Sequence, residues 1–133
     1  MSKESVRAEI QSASNKDGQL TCAAAHKLAE QLNVSPAEIG NLVNEIDVRI
    51  SRCQLGFFGY APKKGMPGYK IVTKLDTLPE PVATEVRNAT QQGKISCLEV
   101  WRIAEKHDVK RPDMGNIVET LDIKVTPCQL GCF

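Results

Sequence analysis

Sliding the 133-residue chain along itself by 75 positions lays residues 18–58 on residues 93–133 without a gap, and 14 of the 41 aligned pairs are identical. The matches include Cys22 with Cys97, Gly40 with Gly115, Asn41 with Asn116, and the run Cys53-Gln54-Leu55-Gly56 with Cys128-Gln129-Leu130-Gly131. Upstream, Val6, Ile10 and Ala13 match Val82, Val86 and Ala89 once one residue is dropped, so the likeness extends to a leading helix. A period of this kind means two copies of one supersecondary unit. Three segments follow: a first repeat at 1–60, an insert at 61–78 with no counterpart, and a second repeat at 79–133. The two copies are expected to pack through helices and strands into one body with approximate two-fold symmetry.

Within each copy the apolar spacing predicts three helices and a strand, a mainly α chain with a small β component. Val6, Ile10 and Ala13 fall at i, i+4 and i+7, one stripe of a helix, and Val82, Val86 and Ala89 do the same. Polar residues before Gly18 and Gly93 end it. The second helix starts at Cys22, capped by Thr21, and at Cys97, where Ser96-Cys97-Leu98-Glu99 has the spacing of a capping box. Ser35-Pro36-Ala37-Glu38 is another such box, with Pro at the first helical position where its missing N–H costs nothing, so the third helix runs from Pro36 to Ile46. Residues 47–51 and 122–126 then alternate charged and β-branched side chains, as a half-buried strand does. Cys-Gln-Leu-Gly after each strand reads as a tight corner: buried sulfur, Gln on backbone, Leu in the core and Gly at positive φ. Gly40 and Gly115 inside the third helices imply close packing, expected against the second helix.

The second and third helices together resemble a helix-turn-helix: small Ala29 at the crossing, Val34 plugging the turn, Ile39 and Leu42 anchoring the second member. Ile103, Ala104, Val109, Met114 and Ile117 fill the matching places in the second copy. Phe57 to Tyr60 and Tyr69 to Val72, around a turn-rich tip carrying Lys63 and Lys64, are similar to the wing of winged-helix domains. The resemblance implies tandem winged-helix-like units and a DNA-binding, transcription-regulator-like protein, with one reading helix per copy in the major groove of double-stranded DNA.

Charge argues for care with that reading. Seventeen Lys and Arg against sixteen Asp and Glu leave a net charge of +1, without the general positive field of many nucleic-acid binders. Only residues 61–79 are basic, with four lysines against Asp76. The candidate nucleic-acid residues are Lys110, Arg111, Asn116, Asn41 and Asn44 toward bases, and Lys63, Lys64 and Lys70 toward phosphates. Asn41 and Asn116 have an alternative role, bracing the strand that follows. A helix-turn-helix also serves as a docking fold, which leaves a protein-interaction adaptor as a second possibility.

Sulfur supports a third reading, a thiol-dependent metal, cofactor or redox module. Five cysteines with no secretory signal suggest reduced thiols rather than a disulfide framework. Cys128 and Cys132 have a spacing found in zinc sites, and Cys53 joins them if the copies meet at their strand ends. The expected cofactor is none, with zinc or another thiolate-bound metal as the alternative. Cys22 and Cys97 sit at helix amino termini, where the dipole can lower a thiol pKa. No Gly-rich phosphate loop, His-Glu-x-x-His or serine elbow is present, so a non-enzyme is expected. The polar opening Met1 to Ser5 and the lack of a long apolar run predict a cytoplasmic protein that crosses no membrane.

Overall fold

A computed structural model of the chain describes residues 2–61 and 63–132. Among these it is mainly helical, with a few short strands. The first half comprises α1 (Lys3–Ala13), β1 (Gln19–Thr21), α2 (Cys22–Leu32), α3 (Pro36–Glu45) and β2 (Arg49–Ser51). The same order recurs as α4 (Glu80–Ala89), β3 (Lys94–Ile95), α5 (Cys97–His107), α6 (Arg111–Thr120) and β4 (Lys124–Val125). No helix is long and apolar enough to cross a membrane.

Helix starts follow the caps in the sequence. The side chains of Thr21, Ser35 and Ser96 accept the N–H groups of Ala24, Glu38 and Glu99, each satisfying one orphan donor of a first turn. The turns after α2 and α5 are tight because Asn33 and Asp108 take left-handed φ values of 57° and 54°. Short polar side chains tolerate this conformation, so glycine is not needed there. Val34 N–H then returns to Ala29 C=O at 3.0 Å and Val109 N–H to Ala104 C=O at 2.9 Å, locking each helix pair.

β1 and β3 are absent from the sequence-based expectation, since two or three residues carry no readable period. β1 lies parallel to β2, with Leu20 opposite Ile50, and β3 parallel to β4, with Ile95 opposite Val125. Parallel neighbours require a crossover, here the helix pair between them. Both strands of a pair therefore deliver their carboxyl ends to one edge, which sets the start of α2 beside the corner after β2.

The corners do not close on their own half. Leu55, following β2, is buried in the core of the second half with Val86, Val100, Met114 and Ile117, accompanied by Cys53. Leu130, following β4, is buried in the core of the first half with Ile10, Leu20, Ile39 and Leu42. This exchange explains the helical glycines. A Cβ on Gly40 would overlap the carbonyl of Leu130, and a Cβ on Gly115 would overlap the carbonyl of Leu55. Packing against the second helix is thus not what requires glycine: each one seats the opposite corner. As expected, Gly56 and Gly131 turn the corners at φ +90° and +81°.

The wing-like hairpin does not form as a strand pair. Tyr60 N–H reaches Tyr69 C=O and Ile71 N–H reaches Gly56 C=O, but Gly59, Gly65 and Gly68 all adopt positive φ, which interrupts any ladder. From Lys70 onward the chain lies on α6 instead of projecting.

Candidate functional site

The insert straps down the outer side of α6. Thr73 N–H donates to Asn116 Oδ1 at 2.9 Å, and Leu75 N–H donates to Thr120 Oγ1 at 2.8 Å. Lys70 pairs with Glu119 at 2.8 Å and Lys74 with Asp122 at 3.1 Å. Exposed pairs of this kind contribute little, so the two side-chain-to-backbone bonds fix the register and the apolar contacts supply most of the stabilisation. Val72 packs beside Gly115 and Gly56, while Leu75 and Leu78 pack on the second core. Asn116 therefore braces the strap, not the strand that follows it.

The equivalent surface of α3 is open. A cavity of about 460 Å³ is lined by Gly40, Val43, Asn44, Ile50, Leu130 and Gly131, with Arg49, Lys64 and Cys132 also on its wall. Gly40, Asn44, Leu130 and Gly131 are the counterparts of Gly115, Glu119, Leu55 and Gly56, which lie under or beside the strap in the second half. Asn41, the counterpart of strap-holding Asn116, is exposed and its amide makes no hydrogen bond among the described residues. Arg49 and Lys64 have no ion-pair partner among the described residues.

The residues expected to read nucleic acid are dispersed. Lys110 is exposed, but the Arg111 guanidinium lies 3.6 Å above the Trp101 ring and donates to Gln54 Oε1, half-buried at the junction of the halves. The Trp101 ring is in turn 4.4 Å from His26 of the first half. Burial and nearby Arg111 lower the His26 pKa to about 4, so this imidazole is neutral at pH 7. Trp101 Nε1 is buried without a partner among the described residues, and the indole is held between the Arg111 guanidinium on its face and the tilted His26 ring. Asn116 and Lys70 are engaged by the strap contacts, whereas Lys63, Lys64, Asn41 and Asn44 are exposed. Two cations that sequence reasoning did not single out, Arg49 and Arg52, line a depression with Lys63 and Tyr60.

The thiols sort by burial. Cys22, Cys53 and Cys97 are buried, Cys128 is partly so and Cys132 is exposed. Desolvation pushes Cys22 up to about 12 and Cys97 to about 11, outweighing the Gln54 backbone N–H at Cys22 and the Gln129 side-chain amide and backbone N–H at Cys97. The two corner cysteines sit in separate but equivalent cradles. N–H groups of Leu55, Gly56 and Phe57 face Cys53, and those of Leu130, Gly131 and Cys132 face Cys128. Burial still raises Cys53. Cys128 falls to about 6, chiefly through the influence of the nearby Cys132 thiol. Among the described residues no group of three His, Cys, Asp or Glu side chains is placed to hold a metal ion, so Cys53, Cys128 and Cys132 are not assembled as a trio.

No protein-family model, no curated protein and no solved structure matches the chain.

Proposed function

We propose that the protein is a non-enzymatic docking adaptor whose open groove on α3 receives an extended, aliphatic, acid-flanked segment of a partner protein. The observation that carries this reading is the contrast between the two third helices, one covered by the chain's own strap and the other beside an open cavity walled in part by Phe57, Phe58 and Tyr69. The strap supplies the template for the occupant: extended backbone, β-branched side chains over a helical glycine, and a backbone N–H on an asparagine carbonyl. Arg49 and Lys64 at the groove, without an ion-pair partner among the described residues, supply the charge preference. Paired helices joined by a left-handed turn support treating each half as a helix-turn-helix-like unit, a fold that serves docking as readily as DNA reading.

The probe is a nonapeptide with the sequence of Lys70–Leu78 and both lysines replaced by glutamate. Titrated into isotope-labelled protein, it is expected to shift the amide resonances of Gly40, Asn41, Asn44 and Gly131 saturably, with a Kd on the order of 100 μM given its size. Asn41→Ala weakens it about fivefold, the loss of one hydrogen bond of about 1 kcal/mol. The all-lysine version binds more weakly. Absence of shifts at about 1 mM peptide, or shifts scattered away from α3, removes the reading.

DNA binding is the second reading, favoured by the neighbouring Arg49, Arg52, Lys63 and Lys64 beside Asn44 on the first half. Four phosphate contacts predict a log–log salt slope near −4 for random duplex, measured by fluorescence polarisation, and a loss of about two units of that slope in Lys63→Glu with Lys64→Glu. Binding that ignores salt, or none at micromolar protein, counts against it.

A further inference from the structure

We propose that the segment docking at the α3 groove is phosphorylated and that its phosphate monoester lodges in the neighbouring depression of Arg49, Arg52 and Lys63, a proposal that rests on the docking reading. The depression encloses about 620 Å³. It is lined by those three cations and one carboxylate, Asp17, none of them in an ion pair among the described residues. Three positive charges less one negative leave an excess of two. A phosphoserine carries about −1.5 to −2 at pH 7 and matches that excess, whereas a carboxylate flank offsets only half of it.

The floor of the depression is preformed. Arg52 N–H donates to Gly59 C=O at 3.2 Å, Cys53 N–H to Phe58 C=O at 3.0 Å and the Tyr60 hydroxyl to Cys53 C=O at 2.6 Å, which closes the loop on itself. A Cβ on Gly59 would overlap the Arg52 backbone nitrogen, so glycine is what lets the loop close this tightly. The Arg52 guanidinium lies 5.8 Å from the centre of the Tyr60 ring rather than against an acid. Its planar fork can engage phosphate oxygens in pairs, which a lysine ammonium cannot. The repeat shows that the fold does not require this arginine. The equivalent position is Pro127, and Arg52 holds a left-handed φ of 51°, unfavourable for a long side chain.

The depression adjoins the groove. Arg49 lines both, and the consecutive Lys63 and Lys64 fall one in each. The strap supplies the register. Lys70 meets Glu119 at 2.8 Å, and the next residue, Ile71, donates its N–H to Gly56 C=O at 2.9 Å. Asn44 and Gly131, the counterparts of Glu119 and Gly56, line the groove together with Arg49. An occupant held as the strap is held therefore brings its Lys70 position to Asn44, beside Arg49, and a phosphate there is the group that enters the depression.

The test uses two acetylated nonapeptides with the sequence of Lys70–Leu78 carrying Lys70→Ser and Lys74→Glu, the new serine phosphorylated in one of them. Titrated into the isotope-labelled full chain, both are expected to shift the amides of Gly40, Asn41 and Gly131. The phosphopeptide also shifts those of Arg52 and Tyr60 and binds about tenfold more tightly, a gain that fades below about pH 6 as the phosphate takes up its second proton. Arg52→Gly, which accepts the left-handed backbone, leaves the serine peptide's Kd unchanged and cuts the gain to about threefold or less. Equal affinity of the two peptides overturns the proposal and leaves docking standing, whereas shifts from neither peptide remove both. A gain that persists in Arg52→Gly, or that is matched when the phosphate is moved to the Thr77 position at the far end, reports general attraction to basic surface and overturns the proposal. So does a random DNA duplex that displaces the phosphopeptide at equal phosphate concentration, since diester phosphates would then be the ligand of the depression.

Discussion

Alanine at Gly40 or Gly115 is expected to destabilise the protein by about 2 kcal/mol or more, against the sign that helix propensity assigns to the same change. In an unencumbered helix, Gly→Ala stabilises by about 1 kcal/mol because glycine has more backbone freedom to lose. Here the added methyl overlaps a backbone carbonyl, of Leu130 at Gly40 and of Leu55 at Gly115, not the yielding end of a side chain. The corner must withdraw, and a withdrawn corner unseats its leucine, whose burial is worth about 1.5–3 kcal/mol. Asn44→Ala on the exposed face of α3 is the control, expected to raise stability by a few tenths of a kcal/mol through propensity alone. Thermal melts distinguish the two signs, with the glycine variants falling by roughly 6 °C or more. If either glycine variant melts at or above the parent temperature, the opposing corner does not rest on that helix.

The parts legible in sequence were those that depend on near neighbours. The caps at Thr21, Ser35 and Ser96 start helices where their spacing says they should, and α3 ends at Glu45, one residue short of the expected Ile46. The Cys-Gln-Leu-Gly corners have the expected buried leucine and positive-φ glycine. Which half receives that leucine is a different kind of question. In a duplicated chain, a contact between two repeat positions has two solutions, within a copy or across copies, and the residue types are the same for both. Gly40 and Gly115 look alike whether they face a neighbouring helix or a distant corner. β1 and β3 escaped because segments so short have no period, and their pairing is visible only once the crossover is built. The strap was misread because Ile71-Val72 after a glycine-rich turn has the pattern of a returning strand; its partner, α6, lies some forty residues away. Arg111 at a helix start resembled a base-reading cation, and its place against Trp101 and Gln54 is again a long-range fact.

Leu130→Ala is expected to cost about 2–5 kcal/mol, the range for a large aliphatic side chain cut from a core, and to weaken the half of the molecule to which Leu130 does not belong in sequence. Leu130 is 3% exposed and packs with Ile10, Leu20, Ile39 and Leu42. Native-state hydrogen exchange therefore shows the greater loss of protection in α1 to α3, with α4 to α6 less affected, and Leu55→Ala shows the mirror image. A corner that served its own half would reverse both patterns, which makes the location of the lost protection the deciding observation, not the size of the loss. Because each half supplies a core residue to the other, neither can open fully without withdrawing a leucine from its neighbour. The wild-type protein should then unfold in one cooperative transition in which α1 to α3 and α4 to α6 lose protection at a common denaturant midpoint. Separate midpoints for the two halves in the unmutated chain would mean that the exchanged leucines contribute too little to couple them.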